Sequence, residues 1–158
     1  MSTSKVRRAM RAQDRRRFLP PEVVADHALD APLPIGHGQT NSQPSTVAAM
    51  LALLDVRAGQ RVLDVGSGSG WTTAVLADLV GPDGSVIGVE RVPELVRQSQ
   101  RALAAQRSSG GPLEWAEIRQ ADTGVLGAPD LGPFDRILVS AEADEVSSAL
   151  IDQLAPAG

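Results

Sequence analysis

A glycine-rich turn near the middle of the chain contains the residue types best suited to bind a ligand. Gly66, Gly68 and Gly70 alternate with serines directly after the apolar run 62–65, and a segment with helical spacing follows. Glycine lets a backbone approach a ligand closely, and the start of a helix offers N–H groups that have no partner within the helix. A strand, a glycine turn and a helix N-terminus in this order predict a ligand site.

The spacing of the glycines argues against a dinucleotide as the ligand. A dinucleotide turn reads Gly-x-Gly-x-x-Gly, and its third glycine permits close packing of the helix. Here Trp71 occupies the last position, and Asp64, two residues before the first glycine, would repel a pyrophosphate. A ligand with positive charge and no phosphate fits better, and S-adenosylmethionine, with an ammonium and a sulfonium group, is such a ligand. The alternative is a glycine-rich turn of an α/β domain that binds nothing.

Two acidic residues follow later predicted strands. Glu90 ends the run 85–90, and Asp122 follows the run 113–119. Alternation of strands and helices predicts a parallel sheet with helices on both faces, in the order three-two-one-four. Ligands of such sheets bind at the carboxyl ends of the strands. We therefore expect Glu90 to accept hydrogen bonds from ribose hydroxyls and Asp122 from an adenine amino group, unless both are simply exposed carboxylates.

Hydrophobic spacing, prolines and glycines predict the elements that position these residues. Gly59 is expected to terminate the helix that starts at residue 45, and the last helix should turn Val146, Leu150, Ile151 and Leu154 inward. Helices are predicted at 5–17, 45–54, 71–80, 93–106 and 145–154, and strands at 61–65, 85–90, 113–119 and 134–140.

The segment 31–44 is predicted to be a polar loop. It contains three prolines and two glycines, which argue against a regular helix or an ordinary strand. It is also rich in side-chain hydrogen-bond donors and acceptors. A proline-stiffened loop can hold such groups in fixed positions, which suits a substrate site better than a linker.

Composition excludes several classes of site. The 158 residues, 42% hydrophobic and 22% charged, are typical of one globular domain. Without cysteine there is no disulfide, thiolate metal site or cysteine nucleophile, and two histidines are too few for a His-rich metal site. No apolar run approaches the roughly 18 residues of a membrane span, and the basic start lacks the apolar stretch of a secretory signal. A cytoplasmic location without membrane contact is expected.

The N-terminal segment is strongly basic. Seven of the 15 Lys and Arg residues lie between Lys5 and Arg17, and such an arm can bind nucleic acid. The chain has no tyrosine and only 3% aromatic residues, so bases would find little to stack on. We interpret the segment as a solvated helix that packs through Val6, Ala9 and Met10, with no nucleic-acid partner.

One arrangement of segments resembles a known family. The segment 33–44, LPIGHGQTNSQP, precedes a predicted helix and then VLDVGSGSG, as in the protein-L-isoaspartate O-methyltransferases, which are class I S-adenosylmethionine-dependent methyltransferases. The stretch 8–20, GVER at 88–91, FDRILV and ALIDQL also fit, so the likeness covers nearly the whole chain. Many methyltransferases share the glycine turn, whereas the loop 39–44 distinguishes this family.

The resemblance implies an α/β fold of the three-layer, Rossmann-like methyltransferase type. It implies one domain, with a helical and substrate-loop region at 1–55 and the core at 56–158. The family transfers a methyl group from S-adenosylmethionine to the free α-carboxyl of L-isoaspartyl residues in damaged proteins and leaves S-adenosylhomocysteine. Ser42 would be the active-site serine that orients the accepting carboxylate, with Gln39 and Thr40 in support. The implied cofactor-binding residues are Asp64, Gly66, Ser67, Gly68, Gly70, Glu90 and Asp122.

The sequence departs from the family pattern at several positions. Asn41 stands where the family usually has an apolar residue, and Ser45 where it often has an aromatic one. After the fourth strand, Glu142, Asp144 and Glu145 replace a small Ala- and Pro-rich turn. In the acceptor pocket they would repel a carboxylate, whereas at a solvent-exposed helix N-terminus acids are favourable.

The likeness also ends before the family's last strands. The family continues beyond the position of Gly158 with a fifth strand and an antiparallel pair. We therefore expect a truncated core with strand four at an exposed edge. Two alternatives stay open: a methyltransferase for another peptide carboxylate, and an inactive cofactor-binding domain.

Overall fold

The chain forms a parallel sheet covered on both faces, with a small hairpin beside it. The computed structural model describes residues 2–108, 113–141 and 147–156. Short 3₁₀ turns lie at Arg15–Phe18, Val24–Asp26 and Pro129–Leu131. The helices are α1 (Thr3–Ala12), α2 (Pro44–Leu54), α3 (Trp71–Val80), α4 (Pro93–Ser108) and α5 (Ser148–Ile151), and the strands are β1 (Leu33–Gly36), β2 (Gln39–Asn41), β3 (Arg61–Val65), β4 (Ser85–Glu90), β5 (Ala116–Gln120) and β6 (Arg136–Val139).

The main sheet has the predicted topology. Its strands run parallel in the order β5-β4-β3-β6, which confirms the order three-two-one-four. Arg61 lies beside Ser85, and Val62 lies beside Arg136, so the strands are in close register. The carboxyl ends of all four strands therefore meet at one edge of the sheet, where ligands of open parallel sheets bind.

Alternating residues of β3 divide the core between the two faces of the sheet. Val62 packs into a cluster with residues of α1 to α4, whereas Leu63 and Val65 pack into a second cluster with Phe134 and with Leu150 of α5. Both clusters consist of side chains almost wholly removed from water, and such burial is the main stabilising contribution to the fold. The three-layer prediction is confirmed.

The N-terminal helix is shorter than predicted. α1 ends at Ala12 instead of continuing to residue 17, because the Asp14 carboxylate accepts a hydrogen bond from the Arg16 N–H and starts a 3₁₀ turn. The predicted packing side is confirmed, since Val6 and Ala9 are buried in the core and Met10 packs against it.

The predicted loop at 31–44 contains regular structure. β1 and β2 pair antiparallel, with a register shift after Pro34, and positive φ angles at residues 36–38 turn the chain between them. The expectation that no ordinary strand forms here was wrong. A proline is compatible with a two-stranded hairpin because each strand has an open edge, where a missing N–H donor does no harm.

Several other element ends differ from the sequence prediction. α2 ends at Leu54 as predicted, but the residue that ends it is Asp55, in a left-handed conformation, and not Gly59. α4 is longer than predicted, and β5 and β6 are displaced or shorter. Within α5, Leu150 is buried as expected, but Ile151 is 53% exposed, so its predicted inward position was wrong. The prediction for Val146 concerns a residue outside the described ranges.

Strand β6 lies at one side of the four-stranded sheet. The chain returns to this side after α5, where Phe134 and Leu154 form a single parallel bridge. Phe134 N–H donates to Gln153 O at 2.8 Å and Ala155 N–H donates to Phe134 O at 2.8 Å. The bridge lies two residues before the start of β6, and Val139 at the other end of the strand is 36% exposed.

None of the helices within the described ranges combines the length and the apolar character that crossing a membrane requires.

Two leucines of α2 provide a matched test of the packing. Leu51 is completely buried and Leu53 is 86% exposed. We expect Leu51→Ala to lower the free energy of unfolding by about 2–5 kcal/mol, because it leaves a cavity, and Leu53→Ala to change it by less than about 0.5 kcal/mol. Urea unfolding followed by circular dichroism measures both, and equal effects would contradict this packing of α2.

Candidate active site

The glycine turn between β3 and α3 is approached from three sides. Gly66, Gly68 and Gly70 all have positive φ, at 81°, 52° and 84°. A Cβ built on Gly66 would lie 2.8 Å from the Cβ of Ala141, and one on Gly70 would lie 3.0 Å from the Cβ of Ser99. A Cβ on Gly68 would lie 3.3 Å from Cδ1 of Ile35. Each glycine is thus required by its conformation and by a different neighbour.

Glu90 closes the turn from the end of β4. Its Oε2 accepts the Gly68 N–H at 3.0 Å, and its Oε1 accepts the Val92 N–H at 2.9 Å. The residue is 6% exposed. A carboxylate has about four acceptor positions, so two remain after these bonds. The side chain can therefore hold the turn and still accept hydrogen bonds from a ligand.

Asp64 lies inside the protein rather than on its surface. The residue has no exposed area. Its Oδ2 accepts the Thr73 hydroxyl at 2.8 Å and its Oδ1 accepts the Ser140 hydroxyl at 2.7 Å. These bonds join β3 to α3 and to the end of β6. Burial raises the pKa of Asp64 and the Glu90 charge adds to the increase, while the two hydroxyl donors oppose it.

The Ser67 hydroxyl is a buried polar group without a partner. Among the described residues, Ser67 Oγ is the one buried side-chain nitrogen or oxygen that forms no hydrogen bond. Leaving such a group unpaired costs about 1–3 kcal/mol. Ser67 lies between Gly66 and Gly68, in the turn to which Glu90 is hydrogen-bonded. This position fits a site whose ligand supplies the missing hydrogen bond.

The remaining residues predicted for the site lie on the hairpin and after β5. Gln39 and Thr40 in β2 are exposed, Ser42 is half-buried, and Asp122 is exposed two residues after the end of β5. The Ser42 carbonyl accepts a hydrogen bond from Arg15 Nη2 at 3.0 Å. Its hydroxyl bonds to none of the described residues. The three acids predicted to face the acceptor pocket or solvent, Glu142, Asp144 and Glu145, lie outside the described ranges.

Arg15 is a site residue that the sequence analysis missed. It was counted with the solvated basic segment, yet it is only 5% exposed. Its guanidinium donates to the carbonyls of Leu29 at 3.0 Å, Ala31 at 2.8 Å and Ser42 at 3.0 Å, and lies 5.5 Å from the Trp71 ring centre. Burial lowers the pKa of Arg15, and the Asp30 charge opposes that shift. The sole sequence signal was its place after a helix-capping aspartate.

Asn41, noted in the sequence as a departure from the family pattern, has a role that the sequence did not reveal. It lies at the end of β2 and is 4% exposed. Its Oδ1 accepts the Arg15 Nε–H at 2.6 Å, and its Nδ2 donates to Ser69 Oγ at 2.8 Å. The hairpin is therefore hydrogen-bonded directly to the glycine turn.

Comparison with known proteins agrees with this geometry. The model of the protein-L-isoaspartate(D-aspartate) O-methyltransferase family matches residues 1–158. The chain belongs to this family. Its members are S-adenosylmethionine-dependent protein carboxyl methyltransferases, so the resemblance read from the sequence and the assignment as an enzyme are confirmed.

Individual relatives match almost all of the chain. A protein-L-isoaspartate O-methyltransferase of Methanothrix thermoacetophila is 43% identical over 99% of this chain and 71% of its own length. One of Aeropyrum pernix is 43% identical over 100% of this chain and 59% of its own. The chain thus spans roughly three fifths to seven tenths of these relatives.

Among solved structures, one described as a protein-L-isoaspartate O-methyltransferase of Plasmodium falciparum has a TM-score of 0.81 and 33% identity. It covers 96% of this chain and 72% of its own chain, and it was solved in complex with S-adenosyl-L-homocysteine. The Rossmann-like methyltransferase fold and S-adenosylmethionine as the family's cofactor are thereby confirmed.

The buried Asp64 carboxylate predicts an unusual pH dependence of stability. Its folded-state pKa is raised above the ordinary 3.8, so the folded state holds this proton more tightly than the unfolded state does. The resulting stabilisation is complete below about pH 4 and is lost as pH rises through the folded-state pKa. The free energy of unfolding of the wild type minus that of Asp64→Asn should therefore fall as pH rises above about 4.

Asp14 is the control with the opposite sign. Its hydrogen bond with Arg16 lowers the pKa of Asp14 below 3.8, so the difference between wild type and Asp14→Asn should rise with pH and level off above about pH 4. Urea unfolding at a series of pH values measures both differences. A difference for Asp64 that rises or stays constant would contradict the buried environment assigned to it.

Proposed function

We propose that this chain transfers a methyl group from S-adenosylmethionine to the free α-carboxyl of L-isoaspartyl residues in proteins. Family membership supports the reaction, and one observation of the structure supports the assignment of the site. The hairpin that carries Gln39, Thr40 and Ser42 is hydrogen-bonded through Asn41 to Ser69 of the glycine turn. An acceptor bound at the hairpin and a cofactor bound at the turn would therefore be neighbours.

The cofactor is proposed to lie along the glycine turn at the carboxyl ends of β3, β4 and β5. Glu90 retains two acceptor positions for the ribose hydroxyls, and Asp122 is exposed where it can accept from the adenine amino group. Ser67 Oγ is the buried group that needs a polar partner. Asp64, which has no exposed area, would act through the turn and strand ends that it joins.

The chemistry places few demands on the protein. S-adenosylmethionine supplies a methyl group that a sulfonium activates toward nucleophiles. A carboxylate is ionised at pH 7 and is already nucleophilic, so no general base is needed. The protein has to hold the acceptor in line and limit access of water, and orientation alone can contribute several kcal/mol to catalysis.

Ser42 is proposed to orient the accepting carboxylate. Its backbone carbonyl is fixed by Arg15, while its hydroxyl is free to donate to a carboxylate oxygen. Gln39 and Thr40, exposed on β2, provide further polar groups beside it. The bonded carbonyl of Ser42 would thus fix where its hydroxyl lies, and the hydroxyl itself would bind the substrate.

Paired peptides test the substrate directly. A peptide containing L-isoaspartate should gain a base-labile methyl ester from S-adenosylmethionine, and the same peptide with L-aspartate should not, because only the first presents a free α-carboxyl at that residue. Transfer of radiolabelled methyl groups measures both. Equal labelling would contradict the proposal, labelling of other peptide carboxylates alone would favour a different carboxyl substrate, and cofactor binding without any transfer would favour a binding domain.

A hydroxyl deletion tests the role of Ser42. We expect Ser42→Ala to lower kcat for the isoaspartyl peptide by roughly tenfold or more, the equivalent of one hydrogen bond to a charged group, with affinity for S-adenosylhomocysteine unchanged within about twofold. Ser85→Ala makes the same change at the opposite, amino-terminal end of β4 and should leave both values unaltered. Loss of cofactor affinity in Ser42→Ala, measured by calorimetry, would contradict this role.

A further inference from the structure

We infer that Asn41, Ser69 and Arg15 form a positioning link that sets the acceptor hairpin against the cofactor turn. This inference rests on the proposed function, since it concerns the placement of Ser42 relative to the turn. The link runs from Ser69 in the turn to Asn41, from Asn41 to Arg15, and from Arg15 to the Ser42 carbonyl.

Asn41 uses both ends of its side-chain amide. Oδ1 accepts from Arg15 Nε at 2.6 Å, and Nδ2 donates to Ser69 Oγ at 2.8 Å. An amide side chain provides an acceptor and a donor on two separate atoms without carrying charge. An apolar residue here would leave the Arg15 Nε–H without this acceptor in a buried place, and it would break the bond to the turn. The polar residue at 41 therefore serves a specific geometric purpose.

Ser69 receives this bond inside the glycine turn itself. It lies between Gly68 and Gly70, and its Oγ also accepts the Trp71 N–H at 3.4 Å at the start of α3. A second contact reaches the preceding residue, because a Cβ on Gly68 would lie 3.3 Å from Ile35 Cδ1 of β1. Both strands of the hairpin therefore lie against the turn, β1 with Ile35 beside Gly68 and β2 through a hydrogen bond.

Arg15 holds the two ends of the hairpin together. Nη2 donates to Ala31 O before β1, at 2.8 Å, and to Asn41 O and Ser42 O after β2, at 3.2 and 3.0 Å. Trp71 ties the same segment to α3, since its Nε1–H donates to Gln13 O at 2.7 Å and its ring faces the guanidinium. The fork of donors in arginine is what allows one side chain to satisfy several carbonyls.

The consequence concerns turnover rather than cofactor binding. The link touches the turn through a side chain, Ser69 Oγ, and leaves the turn's contacts with Glu90 intact. Breaking it should loosen Ser42 relative to the cofactor, and small errors in the placement of reacting groups lower rates strongly. Asn41, Ser69 and Arg15 are therefore positioning residues, and Ser42 is the residue that touches the acceptor.

A double-mutant cycle tests the link. We expect Ser69→Ala to lower kcat for the isoaspartyl peptide by about twofold to tenfold, the equivalent of one neutral hydrogen bond. Asn41→Leu should lower it by tenfold or more, because it removes both bonds. The double variant should be no slower than Asn41→Leu alone within about twofold, because both changes break the same bond. The KM for S-adenosylmethionine should stay within twofold throughout.

Controls separate the possible failures. Ser147→Ala, which removes the hydroxyl that caps α5, should leave kcat unchanged. Wild-type protein that fails to methylate any isoaspartyl peptide overturns the proposed function itself. If the wild type is active, any one of three results overturns the link. These are an unaltered kcat in Ser69→Ala, losses of the two single variants that multiply in the double variant, and a KM for S-adenosylmethionine that rises more than twofold in a variant. If Asn41→Leu does not fold, as judged by circular dichroism, Ser69→Ala alone decides by the same criteria.

Discussion

The structure depends on the close approach of several elements to the glycine turn between β3 and α3. Three alternate glycines between β3 and α3 each face a different part of the chain: the end of β6, the hairpin and α4. Glu90 holds the same turn from the end of β4. Since a Cβ on Gly66 would come within 2.8 Å of Ala141, a side chain there would force the strand end away. The absence of side chains thus lets several elements meet at one point.

Buried polar groups keep these elements in register. The Asp64 carboxylate joins β3 to α3 and to the residue after β6, although burying it disfavours its charge. The Arg15 guanidinium joins the N-terminal segment to the hairpin through backbone carbonyls. Removing one partner of such a group leaves the other unsatisfied inside the protein, which costs more than an ordinary contact contributes. Asp64 and Arg15 therefore fix how the joined elements lie relative to one another, and substitutions at these two positions are expected to be poorly tolerated.

The same arrangement explains how a site with no catalytic histidine or cysteine can work. An ionised carboxylate and an activated methyl group need to be brought together in the right orientation and shielded from water. The proposed cofactor side consists of strand ends and the start of a helix. The proposed acceptor side lies on a two-stranded hairpin, which Arg15, Asn41 and the buried Ile35 hold in position.

The sequence by itself determined the sheet and the position of the glycine turn on which the proposed cofactor site rests. Local patterns suffice there: β3, β4 and α3 follow from apolar runs bounded by glycines, and right-handed crossovers leave one strand order. Glu90 could be placed at the carboxyl edge of the sheet because the end of a predicted strand can be located from the sequence. The hairpin at 33–41 could not be derived in the same way, because its prolines argue against a strand. The end of α1 at Ala12 could not be derived either, because it depends on a single aspartate that caps the following 3₁₀ turn.

Only the tertiary structure decided which polar residues are buried. Arg15 looks like its exposed neighbours in the sequence, and its burial arises because carbonyls 12 to 27 residues away converge on it. Asn41 stands out in the sequence as a polar residue where the family usually has an apolar one, but nothing nearby in the sequence indicates its partner Ser69, 28 residues later and 2.8 Å away. Local spacing carries no information about partners so distant along the chain, so the acceptor hairpin's attachment to the glycine turn emerges only when the whole chain has folded.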